Sequence, residues 1–561
     1  GSLRKLLYLN PLYILLTIIT SIILMLPILV LAQDKIWLFM IFYALGMLIL
    51  GIANKIKIDY RQNGFTPIDL LIIKEATSMS GALNKRAMAI LFVKFFLAFA
   101  GLMILAFSLK GQNVIVNFNF YFVLALGILL LIFYIVAGTS FNFRLNVYKT
   151  GVLIFFLSYF RDPVKLDKRK VKTMAKTVPE NIKDELDPRK KPDIIIIQNE
   201  SFSDPTILGL DNFNQDPLPY FHRLKNEVYS FNMSTRAFGG GTVNTEFEII
   251  TGLSTVFFPR DTTVFSRYIK RPLPSIASIL KKQGYSSVLI HPYESWYYNR
   301  VKTYHNLGFD KFISNKGFKN HKNRYVSDEA VSKKILESLD KGYKLVFAVT
   351  MQNHTPYDQV TANHDIRYLG QLKNKETKEH FNNYLSGLKA TDDSLKELIT
   401  VLKARKKNTI LLFYGDHLPI INQDPDFYSN ISWTKSKLAS KEYYHDLSIS
   451  PGFIWTNYDS TTQNTQANID STMVIYDLLK ESKLEYPEYL SGLHKLFIEE
   501  KISSFHRDFL FKEEKLFTWD TFEYQEFYKK VRKINSDVFS DNLYKHWSHL
   551  NNDYKWDQEA P

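Results

Sequence analysis

The sequence contains no cysteine among its 561 residues. This absence excludes a disulfide framework and a thiol nucleophile, so covalent catalysis would have to use another side chain. Internal repeats and low-complexity tracts are also absent from the sequence. Acidic residues are in the minority, and the formal net charge is +14.

The positive charge does not indicate a nucleic-acid partner. Basic residues are scattered through loops and segments beside the apolar runs, and they form no groove-like motif. Attraction to an anionic lipid surface is the simpler interpretation of this charge.

Apolar residues are concentrated in roughly the first quarter of the chain. At about 1.5 Å per residue, four runs are long enough to cross a bilayer core of about 30 Å. A fifth apolar segment, 147–160, is shorter and is expected to lie in the membrane interface. The sequence therefore predicts a multi-span helical membrane domain at 1–160, with spans at 12–32, 36–53, 89–109 and 118–137.

Beyond the apolar region, residues 161–191 are charged and contain three prolines, which is typical of a basic linker. A globular domain is then predicted at 192–495, followed by a C-terminal extension at 496–561 that packs on it. Short β-branched or apolar runs alternate with helical stretches in this domain, which predicts an α/β fold with a mostly parallel sheet. The expected strands are 193–197, 287–290, 345–350 and 409–414, and the expected helices include 273–283 and 381–404.

Several of these strands end in polar residues, at the edge where open α/β sheets bind ligands. Glu200 follows the first strand, and Asp416 and His417 follow the fourth. A hard divalent cation that activates an alcohol needs carboxylates, an imidazole and a nearby nucleophile. A single Glu or an Asp-His pair is ordinarily a surface or loop-capping feature, but their joint placement on separate strands favours a metal site.

The glycine run 239–241 leads into a predicted helix that starts near Thr242. Backbone amides and the helix dipole at such a turn favour a bound phosphate. The same residues also fit a flexible loop and a helix capped by Thr242, Asn244 or Thr245.

The combination of motifs resembles lipoteichoic acid synthases and related phosphoglycerol transferases, which are sulfatase-like enzymes of the alkaline phosphatase superfamily. The resemblance covers most of the region from residue 192 to about residue 479. The motifs that carry it occur in the family's order and approximate spacing, at 199–201, 241–247, 298–300, 308–312, 353–357 and 414–417.

The resemblance implies one bound divalent ion, Mn²⁺ first and Mg²⁺ second, and a phosphothreonine intermediate. The metal ligands that it implies are Glu200, Thr242, Asp416 and His417. Thr242 is also the implied nucleophile, and His354 is implied to protonate the departing alkoxide. Substrate binding is assigned by the resemblance to His291, Tyr298, Arg300, Asn353 and His354. His291 and Arg300 also fit a structural hydrogen bond or a solvated charge.

The function implied by the resemblance is transfer of glycerol phosphate from phosphatidylglycerol to a glycolipid, a lipoteichoic acid chain or another cell-wall polymer. Tyr298 stands where polymerising members commonly have tryptophan, so a non-polymerising transferase that decorates a wall polysaccharide stays open. Hydrolysis of lipid head groups and an inactive polymer-binding membrane protein are further alternatives. Sulfate-ester hydrolysis is disfavoured. Sulfatases convert a cysteine or serine in a Cys/Ser-x-Pro-x-Arg motif to formylglycine, whereas this sequence has no cysteine and has Thr242 at the implied nucleophile position.

The predicted location is a bacterial cell membrane with the catalytic domain outside. Arg4, Lys5 and the basic loop 55–86 favour the cytoplasmic side, and four spans would then return the catalytic domain to the cytoplasm. The family normally has five spans. We therefore expect a further span before Gly1, in preference to a crossing by 147–160.

Overall fold

The computed structural model describes residues 191–538 except 259–262, 319–322, 361, 363, 423, 425, 439 and 459–465, together with 45–46, 49–51 and 54. Apart from those few helical positions inside or just beyond 36–53, the expected spans lie outside the described residues, as do segment 147–160 and the linker up to residue 190. Within the described part of the chain, we find no helix that combines the length and the apolar character needed to cross a membrane.

The chain divides into two compact units, and the domain described below belongs to the second, Val164–Phe258 with Thr262–Pro561. An eight-stranded sheet forms its centre, in the order β4-β3-β5-β1-β6-β7-β2-β8, and a three-stranded sheet has the order β11-β10-β9. The strands are β1 Asp193–Asn199, β2 Tyr229–Ser234, β3 Ser287–Ile290, β4 Lys311–Ile313, β5 Leu345–Val349, β6 Thr409–Gly415, β7 Ile449–Thr456, β8 Gln466–Asp470, β9 Ile502–Phe505, β10 Phe509–Lys512 and β11 Lys515–Thr518.

Helices alternate with most of these strands. They are α1 Pro219–Leu224, α2 Thr242–Thr251, α3 Val264–Arg267, α4 Ile276–Lys281, α5 Arg300–Asn306, α6 Asp328–Asp340, α7 Lys375–Lys403, α8 Phe427–Asn430, α9 Lys441–Asp446, α10 Val474–Glu481, α11 Glu488–Glu499 and α12 Phe522–Val538.

The β1 strand shows why the sheet is buried on both faces. Its four consecutive isoleucines have side chains that point alternately to opposite faces. Ile194 and Ile196 belong to one buried apolar cluster, whereas Ile195 and Ile197 belong to the other. Strand β1 pairs in parallel with both β5 and β6. The prediction of an α/β domain with a mostly parallel sheet is therefore confirmed.

Strand register brings the carboxyl ends of β1 and β6 together. Asn199 is paired with Gly415, so Glu200 and Asp416, which follow them directly, leave the sheet side by side. Gly415 also permits a close approach, because a β-carbon there would collide with the carbonyl oxygen of Phe202. The turn after β1 therefore folds back over the end of β6.

The structure differs from the sequence prediction in several elements. Strand β7 is antiparallel to both neighbours, β6 and β2, and the sequence did not indicate it. Helix α7 begins at Lys375, six positions before the predicted start at 381, because Asn374 caps it through the backbone N–H groups of Glu376 and Thr377. Helix α4 is shorter than predicted, since Ser275 caps its start in a capping box.

The described residues beyond 495 continue the same folded body. Phe505, Tyr524 and Phe527 lie in the apolar cluster that also contains Phe247 of helix α2. Arg236 donates to the carbonyl oxygen of Phe505, which ties β9 to the loop before α2. This part of the chain supports the helix that begins at Thr242.

Candidate active site

Three acidic or imidazole side chains converge at the carboxyl ends of β1 and β6. Glu200, Asp416 and His417 each offer one potential ligand atom, and these atoms all lie within 4.8 Å of one another. His417 Nε2 is 3.8 Å from Glu200 Oε1 and 3.3 Å from Asp416 Oδ2. All three residues are at most 2% exposed. Burial of two carboxylates this close together is costly unless a cation accompanies them.

The polar atoms of this cluster fit a divalent cation. Asp416 Oδ2 and His417 Nε2 are buried and have no hydrogen-bond partner among the described residues. His417 Nδ1 lies 3.0 Å from the carbonyl oxygen of Leu418, which can only accept, so Nδ1 carries the proton. The lone pair of Nε2 is then directed at the cluster. Carboxylate oxygens with one imidazole suit Mn²⁺ or Mg²⁺, and neither a thiol nor a second histidine belongs to the group.

Thr242 lies beside the cluster as the first residue of α2. Its Oγ1 is 3.5 Å from Glu200 Oε2, and the residue is 9% exposed, more than any of the three other proposed ligands. Gly241 precedes the helix with φ of 87°, a left-handed conformation that favours glycine. Gln198 donates to the carbonyl oxygen of Thr242 at 3.3 Å and accepts from Tyr414 at 2.8 Å. The hydroxyl is therefore held next to the carboxylates by the sheet below it.

The interactions of Ser201 and Thr350 were missed by the sequence prediction. Ser201 has a left-handed φ of 55°, which lets its backbone N–H donate to Asp416 Oδ1 at 2.8 Å. Its hydroxyl donates to Glu200 Oε1 at 2.9 Å. Thr350, at the end of β5, accepts from the backbone N–H of Glu200 at 3.1 Å. The sequence signal for Ser201 was its position directly after Glu200, inside the motif 199–201, and no signal indicated Thr350.

The carboxyl group of Glu200 is held in an unfavourable environment in the absence of a cation. Burial, and then the neighbouring Asp416 carboxylate, raise its pKa to about 8, while His417 and Arg300 act in the opposite direction. A cation at the cluster would favour the ionised carboxylate, because its charge offsets both carboxylates.

We expect the metal-free protein to lose stability as the pH rises from 4.5 to about 8. In that window an unfolded Glu200 has released the proton that the folded protein still holds, so the free energy of unfolding falls with increasing pH. Thermal melts in EDTA should show a steeper fall for the wild type than for Glu200→Gln. Saturating Mn²⁺ should remove or reverse the difference, since cation binding requires the deprotonated carboxylate. Parallel curves for the two proteins in EDTA would contradict this assignment.

Arg300 forms a second buried charged group near the cluster. Its Nε donates to the Tyr304 hydroxyl at 2.8 Å, and its second terminal nitrogen lies 3.4 Å from Glu246 Oε2. Glu246 is on α2, one helical turn after Thr242. Burial opposes the charge of Arg300, but Tyr304 and Glu246 raise its pKa above the ordinary value. Its other terminal nitrogen has no hydrogen-bond partner among the described residues, which fits a guanidinium that donates to a phosphate oxygen.

His291 and His354 occupy different environments. His291 is 1% exposed, and its Nδ1 donates to the carbonyl oxygen of Val349 at 3.2 Å. Burial and the nearby Arg300 lower its pKa well below the ordinary value. His354 is half-buried, and its Nδ1 lies 2.6 Å from the carbonyl oxygen of Thr355 and 3.2 Å from the Tyr325 hydroxyl. These two oxygen atoms hold the Nδ1 side of the His354 ring.

The other two predicted substrate-binding residues, Tyr298 and Asn353, have different surroundings. The Tyr298 ring lies under the Arg300 guanidinium, with 5.3 Å from the guanidinium carbon to the ring centroid. The side-chain amide of Asn353 instead donates to Thr391 Oγ1 at 3.0 Å, and Thr391 donates to Asp328. Asn353 is therefore engaged inside the fold, on the side of α6 and α7.

The comparisons with known proteins agree with this architecture. The sulfatase family model matches residues 192–480, just over half of the chain. A putative cyclic beta-1,2-glucan modification protein of Rhizobium meliloti (strain 1021) is 34% identical over 318 residues, which cover 55% of this chain and 48% of that protein. Lipoteichoic acid synthase 2 of Bacillus subtilis (strain 168) is 26% identical over 214 residues, which cover 36% of this chain and 32% of that protein.

The chain spans about half the length of the first curated relatives that it matches. Among solved structures, a Streptococcus pyogenes phosphoglycerol transferase in complex with sn-glycerol-1-phosphate has a TM-score of 0.51 and 24% identity. That match covers 66% of this chain and 91% of the other chain, and it establishes similarity of fold.

Proposed function

This chain belongs to the sulfatase family, and we propose that it is a phosphotransferase that moves glycerol phosphate from phosphatidylglycerol to a hydroxyl of a cell-surface glycan or glycolipid. The observation that carries the proposal is the Thr242 hydroxyl, 3.5 Å from a buried Glu200 oxygen at the start of α2. A hydroxyl beside two carboxylates and an imidazole fits nucleophilic attack on phosphorus.

The reaction has two displacements. In the first, the Thr242 oxygen forms a bond to phosphorus, the bond from phosphorus to the diacylglycerol oxygen breaks, and a phosphothreonine ester remains. The Thr242 hydroxyl gives up its proton as it attacks, and the departing diacylglycerol oxygen takes up one proton, so the step is balanced in protons; His354 is the donor that we assign to the leaving oxygen. In the second, the oxygen of an acceptor hydroxyl loses its proton and forms a bond to the same phosphorus, the bond from phosphorus to the Thr242 oxygen breaks, and that oxygen takes up a proton, which restores the hydroxyl.

The surrounding residues bind and orient the reacting groups. We assign Glu200, Asp416 and His417, with Thr242, to a divalent cation, Mn²⁺ in preference to Mg²⁺. That cation supplies charge stabilisation and lowers the pKa of the Thr242 hydroxyl when it is bound. Arg300 holds a phosphate oxygen through its unpartnered nitrogen, and Glu246 and Tyr304 fix the plane of its guanidinium group. His291 and Tyr298 line the substrate site on the side of Arg300. Asn353 holds the loop that carries His354 in place.

The acceptor is best described as a carbohydrate. One relative is named for modification of a cyclic β-1,2-glucan, and another is named a capsular polysaccharide biosynthesis protein. A single addition to a glycan fits these names, whereas a lipoteichoic acid chain is the acceptor that the synthase relatives suggest. The apolar runs in the first quarter of the sequence would anchor the enzyme in the cell membrane, with this domain outside.

Mass spectrometry after incubation with phosphatidylglycerol vesicles and Mn²⁺, without an acceptor, tests the proposal. We expect a mass increase of one glycerol-phosphate ester, mapped to the peptide that begins α2 and specifically to Thr242. EDTA should prevent the adduct. An adduct on Thr245 would overturn the assignment, although Thr245 Oγ1 is already engaged in a 3.0 Å bond to the carbonyl oxygen of Asp416.

Product analysis separates transfer from hydrolysis. With a glycan acceptor present, a transferase yields a glycan that carries glycerol phosphate and little free glycerol phosphate. A hydrolase yields free glycerol phosphate at the same rate with or without the acceptor. Metal binding with neither adduct nor turnover would favour a polymer-binding protein without activity.

A further inference from the structure

A strip of aromatic side chains connects the buried site to the surface. The ring centroids of His291 and Tyr293 are 6.2 Å apart, and those of Tyr293 and Tyr297 are 5.2 Å apart. From Tyr297 the strip divides towards Tyr298, at 4.1 Å, and towards Trp296, at 6.0 Å. One branch therefore ends under Arg300, and the other branch ends at the indole of Trp296.

The backbone that follows Tyr297 is strained at two consecutive positions. Tyr298 and Asn299 are consecutive non-glycine residues with left-handed φ values of 55° and 57°. Such conformations cost free energy and persist where the surrounding structure enforces them, often at ligand sites. The result is a sharp turn that buries Arg300 while Trp296 stays outside.

The indole of Trp296 is much more exposed to solvent than the tyrosine rings that follow it in the sequence. Trp296 is 42% exposed, whereas Tyr297 is 9% and Tyr298 is 7% exposed. Asn299 is also exposed, and its backbone N–H donates to the carbonyl oxygen of Trp296 at 3.0 Å. The surface of this turn thus carries one flat aromatic ring with a side-chain amide three positions later.

We propose that Trp296 and Asn299 form an acceptor subsite in which a pyranose ring of a glycan stacks on the indole and hydrogen-bonds to the amide. The inference rests on the proposed transfer reaction and assigns the place where its carbohydrate acceptor binds. A sugar ring has apolar C–H faces and a rim of hydroxyls, so an aromatic face beside an amide matches both. The strip links this subsite to Arg300 through Tyr297, because the indole centroid and the Arg300 guanidinium carbon each lie 6.0 Å from the centroid of the Tyr297 ring.

A lipid surface is the other class of ligand for an exposed indole. Membrane-binding surfaces present several apolar side chains together with basic ones. Here the two aromatic neighbours in sequence, Tyr297 and Tyr298, are buried, and the turn exposes a single ring together with the neutral side chain of Asn299. This arrangement favours a carbohydrate over a bilayer.

The first test measures binding alone, by titration calorimetry of the full chain with cyclic β-1,2-glucan and with linear gluco-oligosaccharides. We expect Trp296→Ala to weaken binding of the best glycan by about fivefold or more. Trp296→Tyr should restore most of the affinity, because it restores an aromatic face. Asn299→Gly removes the amide while keeping a residue that tolerates the left-handed backbone, and it should weaken binding as well.

A matched control is available in Trp519, which is also 42% exposed but lies between β11 and α12. Trp519→Ala should bind the glycan like the wild type. Equal loss in both tryptophan variants, or no saturable binding of any glycan to the wild type, would overturn the subsite.

The second test separates the two half-reactions. Trp296→Ala should load Thr242 from phosphatidylglycerol vesicles at the wild-type rate, transfer to free glycerol normally, and transfer to the glycan about fivefold more slowly. Slower formation of the Thr242 ester in Trp296→Ala would show that Trp296 contacts the lipid donor, and it would overturn the inference. Absence of Thr242 loading in the wild type would instead refute the proposed function, and the binding titration would still decide whether the glycan subsite exists.

Discussion

Thr242→Val is expected to reduce glycerol-phosphate transfer at least about a thousandfold while leaving the fold intact. Valine has nearly the shape of threonine, so the first turn of α2 keeps its packing, but no oxygen remains to attack phosphorus. Steady-state release of diacylglycerol from phosphatidylglycerol vesicles measures the loss. Mass spectrometry should show no glycerol-phosphate ester on the variant.

Thr242→Ser is the matched control for this experiment. It keeps a hydroxyl on the same backbone position, so we expect slower turnover with an adduct that maps to Ser at position 242. Release of diacylglycerol by the valine variant at the wild-type rate would mean that water or the acceptor attacks the lipid directly. In that case the role of Thr242 would be structural.

Asp416→Asn is expected to abolish most Mn²⁺ binding without destabilising the metal-free protein. The oxygen that accepts from the Ser201 N–H at 2.8 Å is retained, and the unpartnered Oδ2 is replaced by an amide nitrogen that cannot ligate. We expect affinity to fall by about a hundredfold or more, measured by calorimetry. In EDTA the variant should melt at or above the wild-type temperature, because one of two close buried carboxylates has gone.

Asp193→Asn provides the opposite control at the other end of β1. Asp193 is also buried, but it pairs with Arg405 at 2.8 Å and Lys407 at 3.0 Å. Its replacement should lower the melting temperature and leave Mn²⁺ affinity unchanged. If Asp416→Asn instead melts far below the wild type in EDTA, the carboxylate cluster is a structural network and does not form a metal site.

The convergence of Glu200, Asp416 and His417 could be predicted from the sequence because these residues follow buried strands directly. The β-branched run in β1 and the apolar run in β6 indicated two central parallel strands, and such strands end at the same edge of a sheet. Glu200 and Asp416 had to meet there once the strands were neighbours. The pairing of Asn199 with Gly415 shows this adjacency.

Other features depended on contacts between residues far apart in sequence. Glu246 is one turn after Thr242, yet its partner Arg300 comes from a separate helix, 54 residues later. The inward hydrogen bond of Asn353 similarly depends on Thr391 of α7, and no local pattern indicates it. Strand β7 contains Pro451 and Gly452, which weaken a strand prediction from sequence, and its pairing with β6 and β2 overrides that local preference.

The arrangement of Glu200 and Asp416 depends on Gly415, a residue with no side chain. The turn carrying Glu200 and Ser201 rests directly on the strand end carrying Asp416, with no room for even one methyl group between them. The spacing between the Glu200 and Asp416 carboxylates therefore depends on the missing β-carbon of Gly415. A homologous sequence that keeps Glu200, Thr242, Asp416 and His417 is therefore expected to be inactive if a larger residue replaces Gly415, because its side chain would push these two backbone segments apart.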